Sequence, residues 1–99
     1  MMSFIIRRSN KAGKKLEAVI DGKTTVAFGA KGYEDFTIHK DEERKERYIK
    51  RHAKNEEWTD PLTAGFYARW VLWNKPTLLD SIEDVNKRFK NMKVKWSNV

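Results

Sequence analysis

The chain contains no cysteine, two prolines and five glycines in 99 residues. Without cysteine, disulfides, thiolate nucleophiles and cysteine-held zinc are excluded. A chain of this length has room for one modest core. With no covalent staple, that core or a neighbouring molecule must hold the fold. The lack of cysteine also suits a reducing compartment. No apolar run approaches the roughly 20 residues of a membrane span, so no transmembrane segment is expected. In MMSFIIRRSN the arginines follow a short apolar stretch instead of preceding it, which is a poor secretory signal.

Sites for chemistry are equally sparse. His39 and His52 are the only histidines, and neither has a second ligand at helical spacing, so no metal site is expected. Glu34 and Asp35 lie near His39, but carboxylates beside histidine are common in charged loops. No serine sits in a nucleophile elbow, and GAKG lacks the spacing of a phosphate-cradling loop. The residues therefore point to no catalytic residue, no cofactor and no small-molecule substrate, and the protein is read as a non-enzyme.

Charge is plentiful. The net charge is +7, which favours acidic partners. It is unevenly spread: residues 1–31 carry seven bases and two acids, residues 32–60 seven and nine, and residues 61–99 seven and three. The surplus lies at the two ends. The middle stretch HKDEERKERYIKRHAKNEEW falls in the one segment, 32–60, that is net acidic, and its charges are ordered, with Asp41, Glu42 and Glu43 at the start of a predicted helix and Arg51, His52 and Lys54 at its end. That order complements the helix dipole. Asp41–Lys45, Glu43–Arg47 and Glu46–Lys50 form acid-then-base pairs at i, i+4. The helix therefore reads as a self-paired solvent helix, docking one edge through Tyr48, Ile49 and Ala53; the alternative is a helix that grips phosphate.

The expected fold class is α+β: a short N-terminal antiparallel β-hairpin or meander, then three short helices and an extended C-terminal tail. A single domain, 1–99, divides into a β-rich basic part (1–31), a helical core (32–90) and a basic tail (91–99). Ser3–Arg8, Lys15–Val19 and Thr24–Phe28 are the expected strands, the last two joined around Asp21-Gly22. A three-residue Ile20-Asp21-Gly22 loop pairs Leu16 with Val26 and Ala18 with Thr24, at the cost of exposing Ile20. The helices are expected over Asp41–Asn55, from Thr63 through Ala64–Trp73, and from an N-cap at Thr77 to about Lys90. A loop over 56–61 joins the first two. Leu78, Ile82, Val85 and Phe89 give the last helix one apolar stripe. In the tail, NMKVKWSNV alternates like a strand or an extended arm.

FYARWVLWN gathers aromatic residues, with Phe66, Trp70 and Trp73 on one helical face. Such rings can stack on bases, but a domain this small needs them as core, and Arg69 is expected over a ring or beside an acid. The ends RRSNKAGKK and KRFKNMKVKW each carry five bases. They supply the candidate partner contacts: Arg7, Arg8, Lys11, Lys14, Lys15, Lys90, Lys93, Lys95 and Trp96. Basic arms of this kind suit phosphates or acidic protein surfaces.

DFTIHKDEERKERYIKRH and EEWTDPLTAGFYARWVLWNKPTLLDSIEDVNKRF resemble the small uncharacterised proteins of nucleocytoplasmic large DNA viruses. The shared order is a D-[FY]-T-x-H-K-D opening, an ER-K-x-x-Y-x-x-RH helix, W-T, TAG-[FL] and W-x-L-W. The likeness covers about residues 32–90 and leaves out 1–31. It implies no activity and no site residue, only a setting: synthesis in the host cytoplasm and residence in the virion. On that footing the expected role is a minor capsid component docking on larger capsid proteins through basic arms. The alternatives are a nucleic-acid-binding protein for genome packaging or regulation, and a regulator that binds a protein outside the virion.

Overall fold

The structure is a computed structural model and describes residues 2–56 and 58–98. Met1, Glu57 and Val99, which the expected β part, loop and tail include, lie outside the described residues.

Strand β1 (Met2–Arg8) pairs antiparallel with β2 (Lys14–Ile20), which pairs antiparallel with β3 (Thr24–Ala30). Four helices follow: α1 (Phe36–His39), α2 (Glu42–Ala53), α3 (Ala64–Tyr67) and α4 (Leu78–Arg88). Helix α3 runs directly into a π-helical turn over Ala68–Leu72. The chain then returns as β4 (Met92–Trp96), parallel to β1, and completes a four-stranded mixed sheet ordered β3-β2-β1-β4.

This corrects the expected fold class. The architecture is α+β, but its strands are divided between both ends of the sequence, and residues 92–96 are a sheet strand instead of an extended tail. The alternation in MKVKW is the physical reason: Met92 and Val94 are buried, while Lys93 and Lys95 are exposed. A half-buried strand has that period of two. Among the described residues the helices also number four, because Asp35 caps the short α1 through its side chain at Thr37 N.

The β2–β3 register departs from expectation by two residues. Ile20 pairs with Thr24, Ala18 with Val26 and Leu16 with Phe28. Asp21 and Gly22 both have positive φ, 52° and 70°, and Lys23 N donates to Ile20 O at 3.0 Å. These are the marks of a primed two-residue turn. Lys23 is then an extra residue before the Ile20–Thr24 pair, and this bulge keeps the apolar residues on one face. Ile20, expected to be exposed, is 3% exposed.

One sheet face is the core. Phe4, Ile6, Leu16, Ala18, Ile20, Phe28, Met92 and Val94 pack there against Phe66, Tyr67, Val71, Leu72, Ile82 and Val85. The helical stripe behaves as its period requires: Ile82 and Val85 are buried, and Leu78 and Phe89 flank them. Asp41, Thr63 and Thr77 cap their helices with side-chain oxygens. The opposite sheet face carries Ser3, Ile5, Lys93 and Lys95, all exposed.

Helix α2 is the outlying element. Its tie to the body is a stack of rings. Trp73 and Tyr48 lie 4.4 Å apart at 2°, and Tyr48 and His52 lie 4.2 Å apart at 28°. His39 meets Trp73 at 5.3 Å. Both histidines therefore close one aromatic column. Lys45 adds a hydrogen bond to Asn74 O at 2.8 Å.

Candidate binding surfaces

Because β1 and β4 are neighbours, the two basic ends meet in one sheet, Ser3 beside Lys93 and Ile5 beside Lys95. They do not project as arms. Arg7 is held by Glu17, Nε to Oε2 at 2.7 Å, across the β1–β2 pair. That bond holds the Glu17 carboxyl below the usual glutamate range, against the upward push of burial and with help from Ser9. Lys15 is likewise committed, to the buried Asp35 at 2.7 Å. Lys11 is exposed in the β1–β2 connection. Arg8 and Trp96 line a shallow groove with Pro76 and Leu79. Trp96 is half-buried against the core, and its indole donates to Asn98, so it is not a free anchor.

Lys90, Lys93 and Lys95 are different. All three are exposed, and among the described residues none pairs with an acid. With Lys87 and Asn86 they line an open groove of about 560 Å³ along β4. Lys87 is 3.3 Å from Glu83, an exposed pair of little strength. Among the described residues no aromatic ring lines this groove. Phe89 turns inward onto Phe66 and Trp70, at 5.0 and 5.6 Å. The patch can offer charge, with nothing on which a base can stack.

The FYARWVLWN segment is interior. Phe66, Tyr67, Val71 and Leu72 are buried, and Trp70 and Trp73 are half-buried. The π turn separates the two indoles that a regular helix would place on the Phe66 face: Trp73 meets Tyr48 on α2, and Trp70 meets Phe89 beyond α4. Arg69 lies over Trp70 at 4.3 Å and over Trp58 at 5.5 Å, as expected of an arginine among rings. Burial pushes its guanidinium below the usual arginine range, and Arg88 adds to the shift. Arg88 also lies over Trp70, at 4.7 Å, and is held by Asp84 at 2.7 Å.

Sequence reasoning set α2 aside as a phosphate-gripping helix and did not see the cleft beside it. A cleft of about 670 Å³ lies between α2 and the body of the domain. Arg44, Arg47, Tyr48 and Arg51 face it from α2, and Lys14 and Lys15 face it from β2. The expected i, i+4 pairs would have consumed the charge of Arg47 and of the neighbouring Lys45. Instead Asp41 spends its carboxylate on the N–H groups of Glu43 and Arg44, and Lys45 turns to Asn74. Arg44 pairs with Glu34 at 3.3 Å. Among the described residues, no acid pairs with Arg47 or Arg51. The signal was present as arginines at i, i+3 and i+7 around a tyrosine, one helical face.

Among the described residues the His39 ring is hydrogen-bonded to neither the Glu34 nor the Asp35 carboxylate. Its Nδ1 accepts from Asp41 N at 2.9 Å, and Asp35 is occupied by Lys15 and Thr37. Among the described residues no group of three or more histidine, aspartate or glutamate side chains is placed to hold a metal, and no helix is long and apolar enough to cross a membrane.

Residues 4–52 match the model of a family of unknown function (DUF5754). The similarity runs from β1 into α2, so it includes the three N-terminal strands. No curated protein and no solved structure matches the chain.

Proposed function

We propose that this protein is a docking component of a larger particle, attaching through Lys90, Lys93 and Lys95 to an acidic surface of a bigger structural protein. The observation that carries this reading is the state of those three lysines: exposed, unpaired among the described residues, and placed together, Lys93 and Lys95 on β4 beside β1 and Lys90 in the turn that leads into it. Contacts built on a sheet strand need little ordering on binding, which favours affinity. The viral setting, with the partner a capsid protein, rests on the resemblance of residues 32–90 alone.

The triple variant Lys90→Glu/Lys93→Glu/Lys95→Glu tests it. The expected result is a folded protein, by circular dichroism, that is lost from purified particles. Full incorporation of the variant would overturn the reading.

A second reading is nucleic-acid binding, favoured by the absence of any ring in the lysine groove, since ring-free positive charge suits a phosphate backbone read without sequence. It predicts a mobility shift at low salt that falls steeply as salt rises. A triple variant that shifts DNA as well as the natural chain would remove it.

A further inference from the structure

We infer that the cleft between α2 and the sheet is a binding site for a nucleotide phosphate. This is independent of the docking surface on β4, which lies on other residues. Three features point to it.

The first is charge in excess of its partners. Five bases face the cleft against three acids, Glu34, Asp35 and Glu56. Two of those acids are already engaged, by Arg44 and Lys15. Arg47 and Arg51 are exposed, one turn apart, and unpaired among the described residues. A guanidinium presents a planar fork of donors that matches phosphate oxygens. A pair of them on one helical face is suited to a doubly charged anion.

The second is the shape of the cleft. Its lining includes four small residues, Gly29, Ala64, Gly65 and Ala68, with Leu72 packed over Gly29 and Glu56 over Gly65. The volume of about 670 Å³ falls within the usual range for small-ligand sites. Tyr33 stands at the cleft 73% exposed. Among the described residues it has no ring partner. An exposed aromatic beside a cationic cleft offers a face for a planar ring.

The third is an acceptor without a donor. Glu56 Oε2 is buried and, among the described residues, has no hydrogen-bond partner. Leaving such a group unmatched is costly. An amino group on a heterocycle would match it. The cleft thus offers cations for a phosphate, a ring for a ring, and, in a residue of its lining, a carboxylate oxygen with no donor of its own among the described residues.

The phosphate can belong to a free nucleotide or to a single strand, and titrations of the full chain separate the two. The probes are ATP, a short single-stranded oligonucleotide and inorganic phosphate, followed by amide chemical shifts at low salt. The expected result is that ATP, the oligonucleotide or both perturb α2 and residues 29–33. Arg47→Gln with Arg51→Gln should weaken that binding about tenfold or more, the loss of charge-assisted contacts. Tyr33→Ala should weaken it while leaving phosphate alone unaffected, and Lys93→Gln with Lys95→Gln should leave it unchanged. Perturbation by ATP alone assigns a free nucleotide, and by the oligonucleotide alone assigns a strand. The inference is overturned if neither probe perturbs the cleft, or if binding survives the arginine substitutions. It is also overturned if inorganic phosphate binds as tightly as ATP.

Discussion

Asn86 lays its side-chain amide along the outer edge of β4 at Val94, donating Nδ2 to Val94 O at 3.0 Å and accepting from Val94 N at 2.8 Å. It occupies the place of a neighbouring strand. An edge strand is a template for unwanted pairing, and proteins blunt it by covering its polar groups or by placing lysines on it. Here α4 supplies the cover, and Lys93 and Lys95 supply the charge. Asn86→Ala is expected to remove about 1–2 kcal/mol of stability and to expose the edge. Thermal unfolding combined with light scattering checks this: the melting temperature should fall and self-association should rise. An unchanged melting temperature would show that Asn86 is not holding the strand.

The stack of Trp73 on Tyr48 is what keeps α2 against the body. Trp73→Ala is expected to cost about 3 kcal/mol, in the range of large aromatic truncations. The loss should be local. Hydrogen exchange should accelerate across Glu42–Ala53 while the sheet amides keep their protection. Uniform acceleration everywhere would mean that α2 does not open as a separate unit.

Gly29 and Gly32 make a paired comparison. Both have positive φ, 77° and 87°. At Gly32 an added methyl meets nothing within 4 Å, so Gly32→Ala should cost about 1 kcal/mol of backbone strain alone. At Gly29 the methyl would sit 2.8 Å from Leu72 Cδ1, and Leu72 is 3% exposed with little room to yield. Gly29→Ala should therefore cost about 2 kcal/mol or more. Denaturant midpoints of the two variants decide it, and equal values would refute the close contact.

Acid should weaken the fold through two carboxylates. The Arg7 hydrogen bond holds Glu17 below its ordinary value of 4.5. At Asp84 burial pushes upward, but the hydrogen bonds from Asn74 and Arg88 together outweigh it, so it lies below 3.8. Each carboxyl binds its proton less readily folded than unfolded. Its contribution is therefore present above those values and is lost as the pH falls below them. Glu17→Gln should lower stability at pH 7 by about 1 kcal/mol, since Arg7 is partly open to solvent. It should also flatten the acid limb of the stability profile. An acid limb of unchanged slope would exclude Glu17 as a contributor.

Much of the local structure was readable. Asp41, Thr63 and Thr77 act within three residues of themselves, so their capping follows from sequence. The Ile82–Val85 stripe and the alternation of Met92 and Val94 are likewise local periods. The errors came where distant residues decide. The register between β2 and β3 depends on the bulge at Lys23, which lets Leu16 meet Phe28. The place of Met92–Trp96 in the sheet depends on β1. Lys45, Arg47 and Lys50 were assigned to acids on their own helix, whereas Lys45 reaches Asn74 and the neighbouring Arg44 reaches Glu34 outside it. Pair counting along one helix cannot see those competitors, and the cleft was hidden for that reason.

The parallel pairing that sets Met2 beside Met92 also imposes an order of events during synthesis. The β1–β2–β3 meander can form once residue 30 has left the ribosome, yet β1 must wait with a free flank until residue 96 emerges. During that interval Phe4 and Ile6 lack both the helices beneath them and the strand beside them. The nascent chain is most exposed to misassociation at that stage, and a premature stop before residue 92 would make it permanent.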